Sequence, residues 1–328
     1  MLLLSLLTAC GGKETTGDQG DVQQGGGQEE TTSAPVGEDR GSWRAGASLP
    51  VPVSEIAVAE LYGKIYVLGG YTAETTSSTF NQVYDPATNT WEELAPMPRG
   101  LNHVGVAGYD GKIYAIGGFA DGDVEAVASF YAYDVATDVW EELAPLPAPR
   151  GSVAVARLGN RIHAIGGRDV VDVNTHEAYD PATGIWEKLA SLPTAREHMP
   201  AVALDGKIHV PGGRFETIEH NTDVHEVYDP VTNSWVEAAP LPTPRSGTAG
   251  AVLDGRVLVF GGQEPAGVFE KNEAYDPATD TWKELVSLPT PRHGFGAATV
   301  DGAVYLPAGA PVVGGDLQSD ILEVFTLS

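Results

Sequence analysis

The sequence predicts an all-β protein, a propeller of six four-stranded blades in which an N-terminal strand closes the last blade. Three observations predict this. A unit of Gly-Gly, then Tyr-Asp, then Trp recurs along the chain, and self-similarity at a period of about 50 residues marks a repeat architecture. The glycine doublets begin at Gly69, Gly117, Gly166, Gly212 and Gly261, with Ala308-Gly309 as a degraded sixth copy. The Tyr-Asp pairs begin at Tyr84, Tyr133, Tyr179, Tyr228 and Tyr275, with Phe325 in the sixth place, and the tryptophans are Trp43, Trp91, Trp140, Trp186, Trp235 and Trp282. The second observation is spacing. Each Trp precedes the next doublet by 26 residues, and each Tyr precedes its Trp by 7. The gap from doublet to Tyr varies from 13 to 17, so length variation sits in one loop per repeat, and repeat loops gather on one face. The third is that no stretch shows helical apolar periodicity.

The elements follow in order. Residues 1–10 are an apolar run that ends in Leu7-Thr8-Ala9-Cys10, with Gly11-Gly12 after it. This resembles a bacterial lipoprotein signal, which implies that Cys10 is lipidated and that the protein is extracytoplasmic and membrane-anchored, at the outer membrane in a two-membrane host. The run is too short to span a bilayer, which takes about 20 residues. Residues 11–41 are rich in Gly, Gln, Thr, Glu and Asp. Too little apolar surface is present to offset the entropy of ordering it, so a disordered tether is expected.

Residues 42–328 carry the repeats, and the third shows the pattern. Ser152 to Leu158 is small and β-branched, as suits a strand crowded near an axis. Asn160-Arg161 turns the chain, and Ile162 to Ile165 runs into Gly166-Gly167. A polar loop leads to a third strand at Asn174 to Tyr179. Asp180-Pro181-Ala182-Thr183 is a tight turn, since Pro fixes φ and Asp bonds back to the backbone. Ile185 to Leu189 is the fourth strand. Four short antiparallel strands, repeated around a ring, make a propeller. The sixth repeat runs out of chain before its fourth strand, and Trp43 has no strands of its own before it, so the Trp43 strand is expected to pair beside Ile321 to Phe325 and remove the open edges.

The order Gly-Gly, Tyr-Asp-Pro, Trp resembles the kelch signature over residues 42–328. That resemblance implies the propeller fold and, most often in such proteins, a non-enzymatic binding module.

Composition narrows the partners. The chain has 19 basic and 45 acidic residues, a net charge of −26. Such a surface opposes nucleic acid and anionic headgroups, so contact with the membrane is expected only through the anchor, and the protein is expected to be a monomer. The copper chemistry of galactose oxidase, which shares this architecture, needs a Tyr–Cys crosslink, and Cys10 is the only cysteine. No His-x-x-x-His or Cys-x-x-Cys pair suggests zinc, so neither a metal nor another cofactor is expected. His163 and His209 fall where Tyr66, Tyr114 and Tyr305 stand in other repeats and read as packing residues.

One constellation breaks the symmetry. Ten residues after each Trp lie Val53, Leu101, Arg150, Arg196, Arg245 and Arg292. The loops that share this face add Arg168 and Arg214, and His103, His198 and His293 lie one or two residues beyond the Arg register. One reading is that each Arg only stiffens a turn. The other is a cationic half-ring that binds a carboxylate or phosphate by paired hydrogen bonds, with a protein or glycan ligand on the loop face. Two further functions stay open: a carbohydrate-active enzyme resembling the kelch-type mutarotases of sialic acid, with Glu197-His198 or Glu216 as acid and base, and a structural envelope component. No catalytic residue is assigned.

Overall fold

The recurrent Gly, Tyr and Trp positions are the places where one blade is bonded to the next. A computed structural model describes residues 40–73, 76–122, 125–315 and 317–327; Cys10 and nearly all of the segment 11–41 lie outside the described residues. Six four-stranded antiparallel sheets stand around one axis. The first blade comprises Ala57–Leu61, Lys64–Leu68, Asn81–Asp85 and Thr90–Glu93, and the next four repeat that plan. The sixth has Ala298–Val300, Ala303–Pro307 and Leu322–Thr326 from the C-terminal end, and Ser42–Ala45 as its outer strand. Trp43 pairs with Phe325 in that ladder. Arg40, two residues ahead of the expected boundary at 42, is already bonded to the propeller, where its O accepts from Val286 N at 2.8 Å.

The innermost strands are small because six of them crowd the axis. Ala59, Ala107, Ala156, Ala251 and Ala298 are all buried there. Between blades the doublet makes the join. Its second residue donates to the next blade's backbone in all six cases, from Gly70 N→Leu101 O at 2.8 Å round to Gly309 N→Val53 O at 3.0 Å. A side chain on Gly117 would stand 2.3 Å from Arg150 O, and the φ of Gly117 is +62°. Both the close approach and the left-handed backbone call for glycine there.

The Trp and Tyr positions clamp the outer rim. Trp91 Nε1 donates to Ala47 O at 2.8 Å, Trp140 Nε1 to Ala95 O at 2.9 Å and Trp282 Nε1 to Ala239 O at 2.8 Å. Tyr84 OH donates to Asn89 Oδ1, which also accepts from Ala47 N of the preceding blade. Tyr133 with Asp138 and Ala95, and Tyr275 with Asp280 and Ala239, repeat the arrangement. Buried aromatics therefore find partners for their polar ends.

His163 and His209 are buried in the packing between blades. Each ring contacts a second histidine of its own blade, His163 Nδ1 to His176 Nε2 at 2.9 Å and His209 Nδ1 to His225 Nε2 at 3.1 Å. The same rings lie against Tyr228 and Tyr275 of the following blades.

Candidate functional site

Twelve residues after each Trp stand Glu55, His103, Ser152, His198, Gly247 and Gly294. All six have φ between 49° and 66°. They form a collar around the axis at the end that receives the variable loops. Backbone bonds run from one blade to the next: Ser152 N→His103 O at 3.0 Å, His103 N→Glu55 O at 3.1 Å, Glu55 N→Gly294 O at 2.6 Å, Gly294 N→Gly247 O at 3.0 Å and Gly247 N→His198 O at 2.9 Å. Glycine suits this conformation at two positions. Glu, His and Ser hold it at the other four, where the left-handed backbone costs of order 1 kcal/mol or more each.

The side chains of the collar converge. Glu55 Oε2 lies 3.0 Å from His103 Nε2, and Glu55 Oε1 lies 3.2 Å from His293 Nδ1. The rings of His103 and His198 are 4.7 Å apart between centroids. Gly294 leaves the room this needs, since a Cβ on it would meet Glu55 Oε1 at 2.5 Å. Behind His198 stands the fully buried Glu197, whose Oε1 accepts from Arg214 Nε at 2.8 Å. Arg214 Nη2 also donates to His198 Nε2 at 3.2 Å.

Charge in this cluster is set by burial against neighbours. Burial opposes ionisation of Glu55, but His103 and then His293 outweigh it and hold the carboxyl well below the usual range. Burial likewise opposes ionisation of Glu197, and His198 and Arg214 together outweigh it, so its carboxyl is also held low. Burial pushes His198 down, Arg214 pushes it further, and the pull of Glu197 in the other direction does not restore it.

Two spaces open on the collar. A funnel of about 300 Å³ on the loop face is bounded by Glu55, Tyr71, His103, His198, Arg214 and Gln263 among others. A smaller cavity of about 100 Å³ shares Glu55, His103 and His198 and passes to the apolar side chains Ile56, Val104, Val153, Met199 and Phe295. A polar mouth over an apolar throat is the usual make-up of a small-molecule site.

The residues expected from sequence divide into two groups. Arg214 and His198 line the funnel. Arg168 stands at the rim, 40% exposed, with Nη1 3.8 Å from Glu197 Oε1. His293 is fully buried behind Glu55. The half-ring of Arg150, Arg196, Arg245 and Arg292 does not face the axial cavities. Each of the four is at most 1% exposed, and each is ion-paired inside its own blade, with Glu177, Glu226, Glu273 and Glu323 respectively. Arg196 also donates to the carbonyls of Thr194, Val210 and Gly212. The guanidinium groups of Arg196, Arg245 and Arg292 tie the entry turn to the second and third strands, and Arg150 makes the same ion pair through Nη2 alone; buried as they are, a ligand on the loop face meets none of the four. Glu216, named as an acid/base candidate, is an exposed loop residue whose N donates to Asp172 Oδ2 at 2.6 Å.

Of the collar, the sequence pointed to His103 and His198 but not to Glu55, although the spacing of twelve from Trp was there to find it. Sequence reading also found no metal ligands. Glu55, His103 and His198 nevertheless offer ligand atoms that all lie within 4.8 Å of one another.

Residues 42–213, just over half the chain, match the family model described as the KLHDC2/KLHL20/DRC7 Kelch-repeats domain. The chain belongs to the kelch-repeat family. Residues 195–242 and 244–289 of this kelch propeller also match the Kelch motif. A solved structure titled "Structure of YjhT" is similar to it, with a TM-score of 0.73 and 16% identity, over 84% of this chain and 95% of that one. At that identity the likeness concerns the fold. No curated protein sequence matches the chain.

Proposed function

We propose that this kelch propeller is a binding module that takes a small anionic ligand, a sugar acid or the acidic end of a glycan or peptide, in the funnel on its loop face. The observation that carries the reading is Arg214. Its Nε and one Nη2 hydrogen are used on Glu197 and His198. Nη1 makes no hydrogen bond among the described residues, and the side chain borders the funnel. A guanidinium so anchored is pre-organised for a carboxylate. Tyr71, Gln263 and Glu216 border the same space and suit the hydroxyls of a sugar.

Calorimetric titration with glucuronate, galacturonate and N-acetylneuraminate, against glucose and galactose, tests the reading. Arg214→Lys keeps a cation for buried Glu197 but loses the planar fork. It is expected to weaken the best acid sugar about 10-fold or more, since a charge-assisted bond contributes about 1.5 to 3 kcal/mol. Equal affinity of parent and variant, or equal affinity for neutral sugars, contradicts the proposal.

A second reading, acid–base catalysis on the same sugar acid, is favoured by Glu55 and His103 lying 3.0 Å apart and lining both cavities. Glu55 would take the anomeric hydroxyl proton during ring opening. Magnetisation-transfer NMR on the anomers decides it, and interconversion no faster than in buffer removes catalysis while leaving binding intact.

Envelope tethering belongs to the same proposal, supported by Leu7-Thr8-Ala9-Cys10 ahead of a polar segment. Cys10→Ala is expected to move the protein from the membrane to the soluble fraction. A variant that still sediments with membranes speaks against the anchor.

A further inference from the structure

We infer that the end of the axis opposite the funnel holds a second binding site, which takes a free α-amino acid with an apolar side chain. The inference begins with the alternation of the innermost strands, whose successive residues face opposite ways. Ala107, Ala156 and Ala251 face into the blades and are buried. Their neighbours Val106, Val155 and Val252 face the axis and are only half-buried. Apolar side chains that stay accessible on innermost strands line a hollow, and its volume is about 320 Å³.

The shape of the hollow follows from residue size along each strand. Nearest the collar the axial positions are filled by Val104, Val153, Met199 and Phe295, all buried. Two residues further along the same strands stand Val106, Val155, Ala201 and Ala297, and Gly250 follows Thr248 in the same way. The second set lines the hollow and the first does not. The axis is therefore plugged toward the funnel and widens away from it. An apolar cavity of about 150 Å³ is enough for benzene, so this one has room for an isobutyl or benzyl group with its head group.

Two residues further again the strands reach the mouth, with Glu60, Gly108 and Arg157 on three consecutive blades. A side chain on Gly108 would stand 2.2 Å from Glu60 O, so that position stays bare and no side chain of the middle blade separates the two charges there. Glu60 Oε1 accepts from Gly63 N at 2.9 Å. Arg157 Nε donates to Gly159 O at 2.9 Å, and its guanidinium carbon lies 4.9 Å from the centre of the Tyr109 ring. Each charged group is thus held by its own turn. Among the described residues, Glu60 Oε2 and the two Nη atoms of Arg157 make no hydrogen bond, and the two side chains form no ion pair with each other.

A pre-set carboxylate and a pre-set guanidinium at the mouth of an apolar hollow match the ammonium and the carboxylate of an amino acid whose side chain points inward. A bare anion fits less well. Asp110, Asp205, Asp254 and Asp301 occupy the turns between first and second strands at the same end. Their charge opposes an unaccompanied carboxylate and favours an ammonium beside it.

Calorimetric titration of the full-length protein with L-leucine and L-phenylalanine tests this. Leucinamide lacks the carboxylate, N-acetylleucine lacks the ammonium and glycine lacks the side chain. Each is expected to bind about 10-fold or more weaker than leucine, the effect of losing one charge-assisted bond or one buried apolar side chain. Glu60→Gln and Arg157→Gln should weaken leucine by a similar factor, and Ala297→Phe, which fills the hollow, should abolish its binding. Melting curves show that each variant is folded at the titration temperature; if Ala297→Phe is not, the two exposed mouth positions decide the matter. Arg214→Lys, at the other end of the axis, should leave leucine binding unchanged, so this site and the funnel stand or fall separately. No heat and no shift of melting temperature with either amino acid at millimolar concentration overturns the inference. So does leucine affinity unchanged by both mouth substitutions, or lost with Arg214→Lys. Leucinamide or N-acetylleucine binding as tightly as leucine overturns it as well.

Discussion

Arg245→Ala is expected to destabilise the propeller by about 3 to 5 kcal/mol, the cost of leaving a buried carboxylate without its cation. Arg245 is fully buried. It pairs with Glu273 and donates to Thr243 O at 3.0 Å, Gly261 O at 2.7 Å and Val259 O at 3.3 Å. Glu273 has one more partner, Thr243 Oγ1 at 2.8 Å, which does not neutralise it. The first blade shows what the position looks like without the pair, for Val53 stands in the Arg register and Gln82 in the Glu register. The double variant Arg245→Val with Glu273→Gln copies that blade. It should recover part of the loss, because no charge is then orphaned, while the three carbonyls stay short of a donor. Urea denaturation of the parent, the single and the double variant measures the cycle. A single variant as stable as the parent would mean that these arginines are not structural.

Acidification is expected to unfold the protein from about pH 6 downward. His163, His176, His209 and His225 are buried, and burial is the first cause that pushes them down, to about 3 for His163 and about 4 for the other three. Nearby cations add to it: His176 and Arg161 act on His163, Arg150 on His176, Lys207 on His209, and His209 and Arg196 on His225. In the unfolded chain these rings titrate near pH 6.5. The unfolded state therefore binds more protons below that pH, and stability falls as pH falls. The contribution is complete above about 6.5 and is lost as pH drops toward 4. Each ring adds a slope of about 1.4 kcal/mol per pH unit in that window. In the second blade Tyr114 and Phe130 occupy the equivalent places. Replacing His163 by Tyr and His176 by Phe should flatten the dependence of the melting temperature on pH between 6.5 and 4. A profile of unchanged steepness would assign the acid sensitivity elsewhere.

The sequence made the architecture legible because its repeated residues are the inter-blade bonds themselves. Trp91 to Ala47 O, Tyr84 to Asn89 and Gly70 N to Leu101 O recur at fixed intervals, and a bond that must recur at one geometry keeps its spacing. The Arg half-ring was half legible. The absence of Arg from two repeats suggested a ligand, but the partner register, two residues before each Tyr, holds the answer. Glu177, Glu226, Glu273 and Glu323 stand there beside the four Arg repeats, and Gln82 and Tyr131 stand there in the two repeats without Arg. Arg is lost together with its Glu, which is what a structural pair requires. The axial cluster was hidden for a different reason. Local ligand motifs bring two side chains to one helix or turn, whereas Glu55, His103 and His198 come from three blades, 48 and 95 residues apart. Only the closed ring and its left-handed collar turn a shared register into a shared point in space.

On the binding function we propose, ligands are met at this collar, by Arg214 and the axial Glu and His, and not by the buried arginines. A crystal structure with the tightest-binding sugar acid tests it most directly. The account predicts the ligand carboxylate within hydrogen-bond distance of Arg214 Nη1, with the sugar ring in the funnel between Tyr71 and Gln263. A carboxylate held by Arg150, Arg196, Arg245 or Arg292, or the sugar acid at the opposite end of the axis against Glu60 and Arg157, would contradict it.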